Sequence, residues 1–180
     1  VNSSGCMIAW KFLNGNKVPP QALLHIQDRD LWKFELEHTR EVNAGLFSLD
    51  YTDFSIFDAA IKDVDYLRAV GYILEKDRSA RTKKTAGGAT EYSGVWNGVR
   101  GRMWSVNAPR DLVSDVGNLL CKIPTSGGDL PVYVDCWNVN KGVLEHSLRS
   151  LGSFDVSLVA KNRGGGGHLN AAGFKEKFDG

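Results

Sequence analysis

The sequence predicts an α+β fold, a helical first part followed by a compact mixed-sheet unit, and three observations predict it. From Ile56 to Leu74, apolar residues recur at Phe57, Ala60, Ile61, Val64, Leu67, Val70 and Ile73, the 3.6-residue period of an amphipathic helix. That pattern ends in the charged run 76–84 and the breaker Thr85-Ala-Gly-Gly-Ala-Thr90, where the unit boundary is expected. Beyond it, short β-branched and aromatic segments alternate with helical ones, which places helices against a sheet in one unit.

The elements follow in order. Ser3 or Ser4 is placed to cap a first helix running to about Leu13, with Met7, Ile8, Trp10 and Phe12 along it. Pro19-Pro20 starts a second helix carrying Leu23, Leu24 and Ile26, since proline is tolerated at the first helical position. Asp28–Trp32 breaks that pattern and reads as a loop, and Arg40–Phe47 as a short helix. After the long periodic segment come a strand at Val99–Asn107, a helix at Pro109–Lys122 and a strand at Pro131–Trp137. Asn138–Gly142 reads as a hairpin turn leading to a strand at Val143–Ser150. Asp155 is placed to cap a helix to Lys161, and a last strand is expected near Phe174–Phe178. The predicted sheet unit thus has the order β-α-β-β-α-β. The expected boundaries are 1–62 for the helical part, 63–93 for a linking helix and loop, and 94–180 for the sheet unit.

Composition narrows the function classes. With 42% hydrophobic residues in 180, the chain holds a real core. The net charge of +1 gives no global drive toward nucleic acid or membrane, so any nucleotide contact must come from local groups. Cys6, Cys121 and Cys136 are odd in number and lack any Cys-x-x-Cys spacing. This argues against a disulfide framework and structural zinc, and for a reducing compartment, cytoplasm or organelle matrix. No apolar stretch approaches the roughly 20 residues a bilayer-spanning helix needs, so no membrane role is expected. No leader is visible, and the start at Val1, almost at once inside an apolar helical run, is expected of a fragment or a processed chain.

The most informative run is Arg163-Gly-Gly-Gly-Gly-His-Leu-Asn-Ala-Ala-Gly-Phe174. Four glycines remove every Cβ, so the backbone can lie directly against a ligand. Leu169, Ala171, Ala172 and Phe174 follow as if the loop opens into a short buried helix. Amides at such a junction, with His168 at its mouth, form an anion cradle. A flexible spacer is the bland alternative. It fits poorly, because the residues after His168 are small and apolar before they are polar.

Alternation along Val143–Ser150 puts Leu144, His146 and Leu148 on one face and Glu145, Ser147 and Arg149 on the other. An arginine so placed is suited to clamp a phosphate, or is simply a solvated side chain on a sheet face. Among acidic groups, His25, Asp28 and Asp30 stand together, with Asp50 and Asp53 downstream. Manganese or magnesium accepts such ligands, but Asp residues beside turns more often cap or form Asx turns. His38 and His146 read as ordinary surface or core histidines. Arg78, Arg81, Lys83 and Lys84 are placed to touch phosphates or, more simply, form a solvated face, and Trp96, Trp104 and Trp137 read as core or base-stacking residues.

Together, the run Gly164–Phe174 resembles the signature of the C-terminal, DHH-associated domain of the DHH phosphoesterases. That superfamily includes RecJ-like exonucleases, oligoribonucleases, cyclic-dinucleotide phosphodiesterases and exopolyphosphatases. Ser147-Leu-Arg-Ser150, Asp155-Val-Ser157 and Ala160 are similar to the strand and helix preceding the glycine loop there. Ser4-Gly5 and Gln27-Asp-Arg-Asp-Leu-Trp32 resemble the end of the catalytic domain. The resemblance implies that Arg149, His168 and the amides of Gly165, Gly166 and Gly167 hold a nucleotide or its terminal phosphate. It implies that Asp28, or failing it Asp30, is a metal ligand, and that two manganese ions activate the attacking water.

No Asp-His-His occurs in the 180 residues, so most of the family's metal ligands are missing from this sequence. Two readings remain. In the first, the chain is the substrate-holding part of a manganese-dependent phosphodiesterase or exonuclease acting on short oligonucleotides or related nucleotide phosphodiesters. A separate segment or chain would then carry the Asp-His-His motif. In the second, it is a non-catalytic family remnant, a nucleic-acid-binding or structural subunit of a larger assembly.

Overall fold

The structure, a computed structural model, describes residues 3–50 and 52–177. The chain divides into two compact units, Val1–Ser79 and Ala80–Gly180. The fold class is α+β, as the periodicities require.

The first unit is helical: α1 (Gly5–Asn14), α2 (Gln21–Asp30), α3 (Thr39–Phe47), α4 (Phe54–Ala60) and the greater part of α5 (Val64–Ala86). Ser4 caps α1, its Oγ accepting from the Met7 amide. Ala22, Val42, Leu46, Ala60 and Leu67 form the core. Three sequence expectations are corrected here. Asp28–Trp32 is not a loop throughout, because α2 continues to Asp30 and the Leu31 amide still bonds Gln27 O at 2.9 Å. The long periodic segment is two helices, since Asp63 breaks it by accepting from the Tyr66 amide at the start of α5. The charged run 76–84 does not end a helix. Its Glu, Lys and Arg residues are good helix formers, and α5 runs through them until Gly87, whose amide closes on Lys83 O.

Among the described residues, the second unit is a six-stranded sheet with two helices of its own and the end of α5. Its strands are β1 (Thr90–Trp96), β2 (Val99–Asn107), β3 (Val134–Asn140), β4 (Val143–Arg149), β5 (Gly166–His168) and β6 (Ala171–Lys177), in the order β1-β2-β3-β4-β6-β5. Only β2 and β3 run parallel, joined through α6 (Val113–Leu120); the other neighbours are antiparallel. The sheet therefore has two strands more than expected, β1 and β5, and it begins at Thr90. Asn97-Gly98 makes the β1–β2 turn with φ of 48° and 80°, the primed turn that suits the twist of a hairpin. Lys141-Gly142 does the same between β3 and β4, so that turn is shorter than Asn138–Gly142.

The sheet has two unlike faces. On one, α6 covers Val106, Val134 and Cys136 with Leu112, Val116 and Leu120, all at most 3% exposed. On the other, α7 (Val156–Lys161), capped by Asp155, covers Leu148, Ala172 and Phe174 with Val156 and Ala160. Each fully buried Val or Leu contributes roughly 1.5–3 kcal/mol, which fixes the strand register against slippage. No helix after the glycine run forms: residues 169–170 turn the chain back and β6 follows at Ala171. The strand expected near Phe174–Phe178 thus starts earlier, and Phe178 itself lies outside the described residues. No helix among the described residues is long and apolar enough to cross a membrane.

Candidate functional site

Cross-strand register brings two of the expected site residues together. His168 pairs with Ala171, and Ala171 pairs with Arg149. Directly paired residues share a face, so Arg149 and His168 point to the same side of the sheet, two strands or about 10 Å apart. That side is the one α6 occupies, and α6 packs on β3 and β4.

Arg149 is held rather than free. Its Nη2 donates to Ser114 Oγ on α6 at 3.0 Å and its Nη1 to Leu148 O at 2.8 Å. The stem runs along α6, where a Cβ at Gly117 would lie 2.7 Å from Arg149 Cγ. Burial lowers its pKa below the usual arginine value, but a guanidinium remains charged throughout. His168 is exposed at the sheet edge.

The four glycines have different reasons to be glycine. Gly164 (φ 75°) and Gly167 (φ 146°) adopt conformations that side chains rarely reach. A Cβ on Gly165 would strike Gly173 O and lie 2.7 Å from Phe174 Cα. Gly166 alone has ordinary φ and open space where its Cβ would be. It pairs with Gly173, which pairs with Ser147, one row along from Arg149 and His168 on the same face. Small residues leave a bare backbone floor there.

A groove of about 530 Å³ opens next to this row, over Ser147 and Gly173, with Arg110, Glu145, Gly165 and Lys175 in its wall; Arg149, His168 and Gly166 adjoin it in register but do not line it. It is the size of a small-ligand cleft. The amide expectation is modified: Gly164 N donates to Lys161 O and Gly165 N to Ala160 O, both closing the end of α7. The Gly165 N–H is therefore committed. Strand β5 is the sheet edge, so only its outward-facing backbone groups remain for a ligand.

Asp28 belongs to the first unit and sits in a closed network. Its Oδ2 accepts from Thr39 Oγ1 at 2.6 Å and the Leu36 amide at 3.1 Å, and its Oδ1 from the Glu35 amide at 3.0 Å. Burial works to raise the Asp28 pKa, but the bonds from Thr39, Glu35 and Leu36 outweigh it and hold the carboxyl below its ordinary range. Since the Thr39 hydroxyl proton goes to Asp28, the 3.0 Å contact to His25 must have His25 Nδ1–H as donor. Burial lowers the His25 pKa, with the Asp28 charge opposing. Asp53 caps α4 and Asp50 makes an Asx turn with Thr52. No group of three or more His, Cys, Asp or Glu suited to a metal ion occurs among the described residues. The described residues do not by themselves gather the donors a manganese pair needs, and the Asp28 carboxylate already accepts three hydrogen bonds.

His146, expected to be ordinary, has a partner. Its Nδ1 lies 2.8 Å from Asp135 Oδ2, and its ring stacks on Phe174 with centroids 4.3 Å apart. His146 Nε2 and Asp135 Oδ1 are buried without hydrogen-bond partners. No sequence spacing reveals this pair, because it depends on the β3–β4 register. Trp96 packs edge-on to Tyr133 and Trp104 Nε1 donates to Ile123 O, so both are structural. Arg81 pairs with Asp111 at 3.1 Å.

The likenesses to known proteins are of two kinds, in sequence and in fold. No family model matches the chain. It is 31% identical over 181 residues to an uncharacterized protein, R106, of Acanthamoeba polyphaga mimivirus, covering 96% of this chain and 41% of that protein. The chain therefore spans about two-fifths of that relative's length. A pGpG-specific phosphodiesterase from Vibrio cholerae superposes with TM-score 0.47 at 11% identity, over 96% of this chain and 68% of its own. An exopolyphosphatase-related protein from Bacteroides fragilis superposes with TM-score 0.43 at 19% identity, over 74% of this chain and 40% of its own.

Proposed function

We propose that the second unit is a phosphate-holding module that binds the phosphorylated end of a short oligonucleotide, serving a phosphodiesterase of the DHH type. The observation that carries this reading is the row Arg149–Ala171–His168 beside a floor of Gly166, Gly173 and Ser147. A fixed guanidinium and an imidazole flank a surface where backbone, not side chain, meets the ligand. Arg149 supplies a planar charged donor set whose orientation is fixed by Ser114 and Leu148 O. His168 supplies a second donor from the hairpin tip. Holding one end of the substrate in this way orders it for in-line attack elsewhere.

Hydrolysis belongs to the reading only with metal ligands that the described residues do not gather. The chain's own residues bind and orient. A purely binding role in a larger assembly uses the same groove, and the second-unit geometry serves either.

The test is titration of the chain with a 5′-phosphorylated dinucleotide and its dephosphorylated counterpart. The phosphorylated form is expected to bind more tightly. Arg149→Ala or His168→Ala is expected to weaken it by roughly 1–3 kcal/mol, the loss of a charge-assisted contact. Equal binding of both ligands, or unchanged affinity in both variants with the fold intact, rejects the phosphate site.

A further inference from the structure

The groove carries charged residues of its own, on the same sheet face as Arg149 and His168. Glu145 pairs with Lys175 across β4–β6, four residues from the Arg149 row, which places it about 13 Å away along the strand. Lys175 Nζ lies 2.7 Å from Glu145 Oε1, and Arg110, which lines the same groove, is near enough for its charge to act on Glu145. The exposures of the pair are unequal: the Glu145 side chain is 13% exposed, the Lys175 side chain 66%. The carboxylate therefore lies under the ammonium. An ammonium has three donors; one meets Glu145 and two remain on a side chain that lines the groove. With Arg110 the cluster carries two positive charges against one negative.

We infer that Arg110 and Lys175, steadied by Glu145, form a second anion station that reads an internal phosphate of the oligonucleotide whose 5′ end lies at Arg149 and His168. This rests on the proposed function and deepens it, because it makes the site select a chain over a mononucleotide. A terminal phosphate alone engages one end. A ligand with a further phosphate engages both, and the bare floor between them leaves the sugar and base room to lie flat. Glu145 sets the discrimination: it lets the station accept a singly charged diester without holding small anions strongly. The plain alternative is a cross-strand ion pair that stabilises the sheet and nothing else.

The deciding experiment uses two 5′-phosphorylated trinucleotides, one with native linkages and one with neutral methylphosphonate linkages, titrated against the full chain and against an Arg110→Ala/Lys175→Ala variant. In the native protein the neutral-linkage ligand is expected to bind about tenfold more weakly, one charge-assisted contact. In the variant the two ligands are expected to bind within about twofold of each other. Glu145→Gln, which keeps the shape and removes the charge, is expected to tighten the native ligand severalfold. No discrimination in the native protein, or the same discrimination in the variant, overturns the second station while the 5′-phosphate site stands. Failure of both ligands to bind overturns the proposed function itself.

Discussion

The Asp28 network and the Arg149–His168 row are both polar clusters marked by the sequence, yet they differ in what they leave available. Around Asp28, three donors converge on one carboxylate, and Thr39 in turn accepts from His25. Asp28 and His25 are 5% and 4% exposed. Satisfied and buried, such a network fixes the turn between α2 and α3 and has little left for a ligand. Along the Arg149 row, Arg149 has further N–H groups beyond the two it uses, His168 is exposed, and the neighbouring Gly166 carries no side chain. The first cluster closes on itself and the second is open, and a binding role requires the second kind.

The largest effect that separates them lies within the glycine run. Gly165→Ala forces a methyl into Gly173 O and Phe174 and is expected to destabilise the second unit by about 3 kcal/mol or more, read by urea unfolding. Gly166→Leu has open space and is expected to leave stability within about 1 kcal/mol. It should weaken oligonucleotide binding at least tenfold by covering the floor. If Gly166→Leu binds normally, the ligand does not lie on that floor.

Asp28→Ala comes next. It strands the Thr39 hydroxyl and two amides, at an expected cost of about 3 kcal/mol, with affinity for the phosphorylated dinucleotide unchanged. The pH dependence has a definite sign. His25 is held below its ordinary pKa, so the unfolded chain takes up that proton first and stability begins to fall as pH drops below about 6.5. Asp28 is also held low, so its contribution is present above the unfolded carboxylate value of about 3.9 and is lost as pH falls through the folded one. Unfolding midpoints of native protein and Asp28→Asn, followed from pH 8 to 3, should converge below pH 4. Parallel curves would mean the carboxylate charge contributes nothing.

Much of this was legible in the sequence where a local rule decides. The Ser4 and Asp155 caps follow from short-range chemistry, as does the alternation that sends Arg149 and Leu148 to opposite faces. What was hidden depends on pairing. Thr90–Trp96 lacks clean alternation and holds Gly94, so β1 shows only once Asn97-Gly98 is taken as a hairpin turn. The run after His168 favoured a helix because Ala171-Ala172 has helical propensity. Pairing of Ala171–Lys177 with β4 overrides it. The Asp135–His146 pair and the Arg149–His168 row exist only in the register.

Ser114→Ala tests the groove more gently. It removes the Oγ that accepts from Arg149 Nη2 without touching the ligand. A net hydrogen bond is worth about 1 kcal/mol, so a severalfold loss of affinity is expected with little change in unfolding midpoint. Ser114→Thr, which keeps the hydroxyl, should restore it. A loss in both variants would point to packing on α6 rather than to the orientation of Arg149.

The smallest effect is the most discriminating about place. Arg163 adjoins the glycine run in sequence, and proximity alone would make it a phosphate ligand. Its Nη1 instead lies 2.8 Å from Glu176 Oε1, and its guanidinium sits 5.5 Å from the centre of the Phe174 ring. Glu176 pairs with Leu144 and Phe174 with His146, so these residues belong to the opposite face from Arg149. The ion pair is solvent-exposed and screened, worth below about 1 kcal/mol. Arg163→Ala is therefore expected to lower stability slightly, more at low salt than at high, and to leave the affinity of the phosphorylated dinucleotide within about twofold. A tenfold loss would assign the ligand to the α7 side of the sheet, because face, not distance along the chain, decides which cations can meet it.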